Sequence, residues 1–400
     1  MNKNKKKFED YSDYLTKVKE IIGSKELGAY VFTFGCQQNE ADSEKIRGLA
    51  EKMGYKIVDK FENAHLIILN TCAIRDHAEA KALSMLGNFK RRKREVEDVI
   101  IGVMGCMAAE PHVCEMLKND FHYVDFTIEP NMIHSLPYMV YSSLYEGKRR
   151  FVIGEDDGSV IEGLPIRREQ KRTALVSIMY GCNNFCTYCI VPYVRGRERS
   201  RSSDEIIAEC KDLIENGTKE IMLLGQNVNS YKSDVDFAGL MEKIACLGGD
   251  FKLTFMTSHP KDVSDNLINV MARYSEKILR SFHLPLQSGS DRILKKMNRT
   301  YNRESFLKTV ERLRSAMPDI FISTDVIVGF PSETEEDFED TIDMLGKVRF
   351  DMVYSFKYSR RKGTPADRFD EQVDEQTKKE RLQRLLDFQD VILREKNIIK

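Results

Sequence analysis

The sequence predicts an α/β protein in two parts, an N-terminal parallel-sheet domain of flavodoxin or Rossmann type followed by an open, partial (β/α)6 barrel of TIM type. Three observations predict it. From Ala29 onward, short β-branched runs alternate with amphipathic helical patterns, the mark of βα units whose parallel sheet is covered by helices. The alternation breaks over residues 147–172, where Gly154-Glu155-Asp156-Asp157-Gly158 and a basic run after Pro165 read as a linker. The chain has 400 residues, more than one hydrophobic core usually serves.

Residues 1–28 alternate in charge and read as a flexible or helical extension. The first domain, 29–146, has candidate strands at Tyr30–Phe34, His65–Asn70, Val99–Met104 and His122–Phe126, each followed by a helical pattern. In the helix expected at Asn39–Met53, Ile46, Leu49 and Met53 mark one face. The second part, 173–400, has six candidate strands at Ala174–Tyr180, Glu220–Leu224, Lys252–Thr257, Phe282–Leu286, Ile320–Val328 and Met352–Tyr358. Its active site is expected at the C-terminal ends of these strands. Residues 372–400 read as a long charged helix reaching the terminus without a cap, as expected of a truncated chain or of one that has dispensed with a small terminal domain.

Composition narrows the function. Sixty-two basic and 63 acidic residues leave a formal charge of −1, so no global field favours nucleic acid and RNA binding needs local patches. Such patches occur at Lys90–Arg94, Lys148–Arg150, Arg167–Arg172 and Arg195–Arg201. Nine cysteines are too sparse, and odd in number, for a disulfide scaffold. The basic start Met1–Asp10 lacks an apolar h-region, and no apolar stretch approaches the ~18 residues that would cross a bilayer. A cytoplasmic protein with reduced thiols is expected, with no membrane partner.

Against that background Cys182, Cys186 and Cys189 stand out, in Gly181-Cys182-Asn183-Asn184-Phe185-Cys186-Thr187-Tyr188-Cys189. The C-x3-C-x2-C spacing packs three thiolates into one loop, following the first strand of the second series. A cubane iron–sulfur cluster normally takes four cysteines, so three leave one iron open to a substrate or cofactor. Structural zinc needs four closed ligands, and the next cysteine, Cys210, lies on an apolar helical stripe with Ile206, Ile207, Leu213 and Ile214. A second set emerges only through the fold. Cys36, Cys72 and Cys106 each close a strand of the first domain, and in a parallel sheet those ends converge on the usual ligand crevice. Three thiols delivered to one edge suit a second open-iron cluster. Cys114 and Cys246 sit on helical patterns and read as structural.

The cysteine loop has the C-x3-C-x-aromatic-C form of the radical S-adenosylmethionine enzymes, and the rest of the chain resembles their methylthiotransferase branch. The matching stretches are F-G-C-Q-Q-N-E-A-D-S-E at 34–44, N-T-C-A-I-R at 70–75, M-G-C-M-A at 104–108, C-I-V-P-Y-V-R-G-R-E-R-S-R at 189–201, L-L-G-Q-N-V-N-S-Y at 223–231, T-S-H-P at 257–260, L-P-L-Q-S-G-S at 284–290 and D-V-I-V-G-F-P-S-E-T at 325–334. G-C-Q-Q-N-E and N-T-C-A-I-R are similar to the subgroup acting on tRNA carrying N6-(dimethylallyl)adenosine. Sister subgroups act on threonylcarbamoyl-adenosine in tRNA or on a ribosomal-protein aspartate.

The resemblance implies a transferase with two [4Fe-4S] clusters, consuming two S-adenosylmethionines and a sulfur donor to place a methylthio group on carbon 2 of the adenosine at tRNA position 37. The cluster on Cys182, Cys186 and Cys189 would cleave S-adenosylmethionine, and the one on Cys36, Cys72 and Cys106 would carry the sulfur. Gly329, Phe330 and Pro331 resemble the family's adenine-contacting turn. Gln226 and Asn227 are candidates for the methionyl end, and Ser288 and Ser290 for the ribose. Arg195, Arg197, Arg199 and Arg201 would meet the anticodon stem-loop, since arginine pairs with phosphate and stacks on splayed bases. A flavodoxin or ferredoxin is the expected electron donor, and a monomer the expected state. The small C-terminal β-barrel RNA-binding domain usual in the family is absent from this sequence. The rival of another class is a non-catalytic iron–sulfur, RNA-binding sensor, which would close all four ligand positions.

Overall fold

The computed structural model describes residues 3–73, 76–151, 153, 154, 158–396 and 398, with the backbone alone for 3–10 and 76–78. The chain divides into two compact units, Met1–Gly181 with Val191–Arg199, and Cys182–Ile190 with Ser200–Lys400.

The first unit is built on six strands: β1 (Gly28–Thr33), β2 (Lys56–Ile57), β3 (Leu66–Thr71), β4 (Ile100–Gly105), β5 (Phe126–Ile128) and β6 (Arg150–Phe151). They pair in the order β2-β1-β3-β4-β5-β6, every pair parallel. β3 and β4 are buried at every position, which is why they read as unbroken apolar runs rather than alternating ones. Successive side chains of β3 go to opposite faces. Leu66 and Ile68 join Ile46, Leu49, Met53 and Phe126 in one core, and Ile67 and Leu69 join Phe89, Val103 and Leu117 in another. Full burial of each such side chain is worth about 1.5–3 kcal/mol.

One reading needs correction here, one alternative is decided and two short strands are added. β2 and β6 have two residues each, too short to show a period. The strand expected at His122–Phe126 begins instead at Phe126, because a turn bonds the Val124 amide to the Phe121 carbonyl (2.8 Å). The N-terminal segment, read as flexible or helical, is the helix α1 (Lys3–Ile22). Its residues Leu15, Val18 and Ile22 pack into the core, and Tyr14 meets Tyr138 edge-on and Tyr141 at a tilt, each with ring centroids 5.1 Å apart. That stripe at helical spacing was legible beneath the charges.

In the second unit, Glu220–Leu224 pairs with Lys252–Phe255, and Ser281–His283, Phe321–Val328 and Met352–Lys357 pair side by side, all parallel. Helices Ser203–Glu215, Phe237–Ala245, Asp265–Arg273, Arg303–Ala316 and Glu335–Val348 intervene. No closed barrel forms among the described residues. The strand expected at Phe282–Leu286 stops at His283: Pro285 has no amide to give the ladder, and pairing resumes only as a single bridge from Gln287 to Val326. The C-terminal helix spans Glu375–Glu395, with Asp374 accepting from the amides of Gln376 (3.0 Å) and Thr377 (2.9 Å). The strand expected at Ala174–Tyr180 is split into Thr173–Ser177 and Met179–Tyr180.

Candidate functional site

Three adjacent strands of the first unit deliver its cysteines. Cys36 precedes the helix α2 (Gln37–Lys52), Cys72 follows β3 directly, and Cys106 opens a 3-10 turn directly after β4. β1, β3 and β4 are neighbours, so the three thiols share one sheet edge. The polar residues of the 34–44 stretch hold that edge. Asn39, fully buried, donates to the Thr71 carbonyl (2.9 Å), and Asn70 donates back to the Asn39 carbonyl (2.8 Å) and to Ser43 Oγ (2.8 Å). Cys36 Sγ lies 3.3 Å from Asn39 Oδ1, and Thr71 donates to the Met104 carbonyl (2.6 Å). Before Cys106, Gly105 has φ +91°, and a Cβ there would fall 2.4 Å from both Asn70 Oδ1 and the Thr71 carbonyl oxygen. Only glycine lets the chain turn at that point.

Electrostatics tie the three thiols together. Burial pushes the Cys106 thiol up to about 11; Arg195 opposes this, while charge on Cys72 and Cys36 adds to it. Arg195 itself, 2% exposed, donates from Nε to Cys106 Sγ (3.2 Å) and from Nη2 to Asp42 Oδ2 (2.9 Å). Burial alone would lower the guanidinium pKa, but the charges of Cys106 and Asp42 outweigh it and hold the group charged. The expected RNA-facing row is therefore divided. Arg195 is buried against a thiol, and Arg201, also buried, is paired with Glu209 at 2.8 Å. Of the four, Arg197 is the exposed one.

In the second unit the cysteine loop is clasped by residues 296–299. Thr187 donates from its amide to the Met297 carbonyl (3.0 Å) and from its hydroxyl to the Lys296 carbonyl (2.9 Å). Asn298 Nδ2 donates to the carbonyls of Asn184 (3.1 Å) and Phe185 (3.0 Å). Cys182 and Cys186 are buried and Cys189 is partly exposed. Arg299, missed at the level of sequence, donates from Nη1 to Cys186 Sγ (3.3 Å), from Nη2 to the Pro285 carbonyl (3.1 Å) and from Nε to Tyr301 Oη (3.1 Å). Among the described residues no carboxylate forms a salt bridge with this buried guanidinium. Its counter-charge has to come from the sulfur side, and an anionic cysteine-ligated cluster fits that requirement.

Among the described residues no group of three or more His, Cys, Asp and Glu side chains is arranged to hold a single metal ion. A cubane makes no such demand, because each thiolate takes its own iron.

The other expected cofactor residues occupy strand ends of the second unit. Gln226 is half-buried after Glu220–Leu224. Asn227, 1% exposed, donates to Asp262 (2.8 Å), while its Oδ1 is buried with no hydrogen-bond partner. Ser288 accepts from the Ser290 amide (3.2 Å); Ser290 Oγ is spent on Asp337 (2.5 Å) and on capping Asp291–Lys296. Gly329, at φ +71°, donates its amide to Glu333 (2.6 Å), and Pro331 is buried beside it.

One sheet face near the loop was not anticipated. Ile327 and Tyr188 of the cysteine loop both pack against the buried cluster of Ile293, Met297, Phe330, Tyr358 and Ala366. Lower on the same strand face, Asp325 lies 3.1 Å and Ser323 3.0 Å from the two ring nitrogens of His283. On the neighbouring strand, Met352, Tyr354 and Phe356 register with Ser323, Asp325 and Ile327 and stay exposed, at 42, 43 and 48%. Flat apolar surface next to a His–Asp pair suits a planar, apolar-substituted ring.

Comparison with known proteins agrees with this geometry. Residues 176–345 match the model of the Radical SAM superfamily, and residues 28–129 match that of Uncharacterized protein family UPF0004. The tRNA-2-methylthio-N(6)-dimethylallyladenosine synthase of Thermoanaerobacter sp. (strain X514) is 47% identical over 387 residues, 96% of this chain and 82% of that protein. The synthase of the same name from Caldicellulosiruptor saccharolyticus is 48% identical over 372 residues, 92% of this chain and 79% of that one. The solved radical S-adenosylmethionine methyltransferase TsrM from Kitasatospora setae shares the fold at 13% identity, with a TM-score of 0.63 over 86% of this chain and 75% of that one. With two cysteine triads on two α/β units and near-full-length identity of this order, the chain belongs to the radical SAM family of the tRNA-2-methylthio-N(6)-dimethylallyladenosine synthases.

Proposed function

We propose that this chain transfers a methylthio group to carbon 2 of N6-(dimethylallyl)adenosine at position 37 of tRNA. The observation that carries the proposal is the 47% identity to curated synthases over 96% of the chain, joined to thiol triads at the strand ends of one unit and in the loop of the other. Carbon 2 of a purine carries an unactivated C–H bond, beyond the reach of side-chain acids and bases. An iron–sulfur cluster on Cys182, Cys186 and Cys189 with bound S-adenosylmethionine supplies the one-electron chemistry that such a bond requires.

The remaining work falls to the chain's own residues. Arg299 fixes the Cys186 sulfur and balances its charge. The Oδ1 of Asn227, buried without a hydrogen-bond partner, is free to accept from the methionyl end of S-adenosylmethionine, and the Gly329–Pro331 turn would hold its adenine. Tyr354 and Phe356, exposed at 43 and 48%, offer apolar surface on which the prenylated base would pack. Cys36, Cys72 and Cys106 would hold a second cluster, whose chemistry would be sulfur delivery, so the separate tasks of C–H activation and sulfur delivery would have separate ligand sets. A reduced flavodoxin or ferredoxin gives the electron.

The test is anaerobic reconstitution with iron and sulfide, reduction, and incubation with S-adenosylmethionine and prenylated anticodon stem-loop RNA. Nucleoside mass analysis should show the 2-methylthio product. Cleavage of S-adenosylmethionine without any gain of mass on the RNA would refute the substrate.

A further inference from the structure

We propose that Arg195 is a positioning residue for the thiol centre of the first unit, and that the buried Arg195–Asp42 pair sets the reduction potential of the cluster held there. The inference rests on the reading of Cys36, Cys72 and Cys106 as cluster ligands. Arg195 is fixed along its length. Its amide donates to the Val191 carbonyl (2.8 Å), and its own carbonyl accepts from Asn131 Nδ2 (3.2 Å) and Arg199 Nη2 (2.8 Å). At the far end Nε meets Cys106 Sγ at 3.2 Å and Nη2 meets Asp42 Oδ2 at 2.9 Å. Both side chains of the pair are 3% exposed, and Asp42 is held in turn by Gln38 Nε2 (3.2 Å), which also donates to Ser177 (2.8 Å).

A buried ion pair is poor value as a stabiliser, because desolvating two charges consumes most of their attraction. What this pair does achieve is to aim one N–H at a ligand sulfur. Donors on sulfur and local net charge are the levers by which protein tunes an iron–sulfur potential. The donor stabilises the more negative, reduced cluster, and Asp42, one guanidinium away, cancels the positive charge that comes with it. Arg299 makes the same contact on Cys186, but no carboxylate among the described residues forms a salt bridge with it. The guanidinium on Cys106 is thus paired with a carboxylate and the one on Cys186 forms no salt bridge among the described residues, a difference in charge balance that holds the two potentials apart.

The experiment uses the full chain with Cys182, Cys186 and Cys189 changed to Ala, so that only the first-unit centre remains. It is reconstituted anaerobically, assayed for iron and sulfide, and titrated electrochemically with EPR detection. Asp42→Asn leaves the guanidinium uncompensated and should raise the midpoint. Arg195→Gln leaves a bare buried carboxylate and should lower it. The double variant should fall between them. Midpoints that stay put, or shift in the same direction in both single variants, overturn the inference. If Arg195→Gln loses its iron, Asp42→Asn decides alone: a rise supports the inference, and no change or a fall overturns it. Loss of iron from both single variants, with secondary structure kept, also overturns it and leaves the pair as scaffold. Failure of the triple-alanine background itself to bind iron removes the ligand reading instead, so the two failures are distinct.

Discussion

Acid should destabilise this protein through one histidine, His259 of the T-S-H-P stretch. It is 3% exposed, and its Nδ1 accepts from the Lys261 amide (3.2 Å), which only an unprotonated Nδ1 can do. Burial first, then the charges of Arg299 and Lys261, lower its pKa from 6.5 to about 2. In the window between these values the unfolded chain binds a proton that the folded chain refuses, so stability is full above pH 6.5 and is lost as pH falls below it. At pH 5.5 the unfolded histidine is about ten-elevenths protonated, which amounts to about 1.4 kcal/mol of lost stability relative to pH 7.5. His259→Asn isolates the effect, because Oδ1 can accept the same amide without titrating. The assay is denaturant unfolding of wild type and variant at both pH values, under anaerobic conditions on identically prepared protein. The wild type should lose about 1.4 kcal/mol more than the variant between pH 7.5 and 5.5. Parallel losses in the two proteins would refute the argument, since every other group titrates alike in both.

Other outcomes follow from the same geometry. Replacing Cys182, Cys186 and Cys189 by alanine should leave about half the iron and abolish S-adenosylmethionine cleavage, as follows from the proposal that each triad holds its own cluster; cleavage that persists would exchange the proposed roles of the triads. Gly329→Ala places a Cβ 2.3 Å from Lys378 Cγ at φ +71°. Left-handed strain and overpacking together should cost about 2–4 kcal/mol in thermal or denaturant unfolding. Arg381 donates to Glu333 at 2.8 Å with side-chain exposures of 7 and 1%. Burial raises Glu333 to about 7 against the Gly329 amide and Arg381, so Arg381→Gln should push it further up and destabilise the chain by about 3–5 kcal/mol. An unchanged unfolding midpoint would remove the pair from the account of that turn.

What the sequence made legible was what local spacing encodes. β3 and β4 read as buried because parallel strands are apolar on both faces, and the Cys182 loop reads as a ligand set because eight residues hold all three thiols. The first-unit triad needed one further step, the rule that parallel strands end on a common edge, and β1, β3 and β4 are neighbours as that rule requires. Contacts between distant residues were out of reach. Arg195 looked like a member of an RNA-binding row, and nothing near it in the chain announces Asp42, 153 positions away. Arg299 lies 113 positions from Cys186 and belongs to no motif quoted for the loop. Proline's effect on the Ser281–His283 strand was readable from local chemistry, whereas two-residue strands such as β2 have no period to read.

The two thiol sets differ in when they can exist. Cys182, Cys186 and Cys189 come from adjoining residues, so closing that loop costs little chain entropy and a nascent segment already carries all three. Cys36, Cys72 and Cys106 hang from three separate strands, and no pocket among them forms until those strands have found their register. On the proposed ligand set, metal loading at that edge would wait for the sheet, and a mutation that slows pairing of β1 with β3 should show up as iron deficiency before it shows up as unfolding.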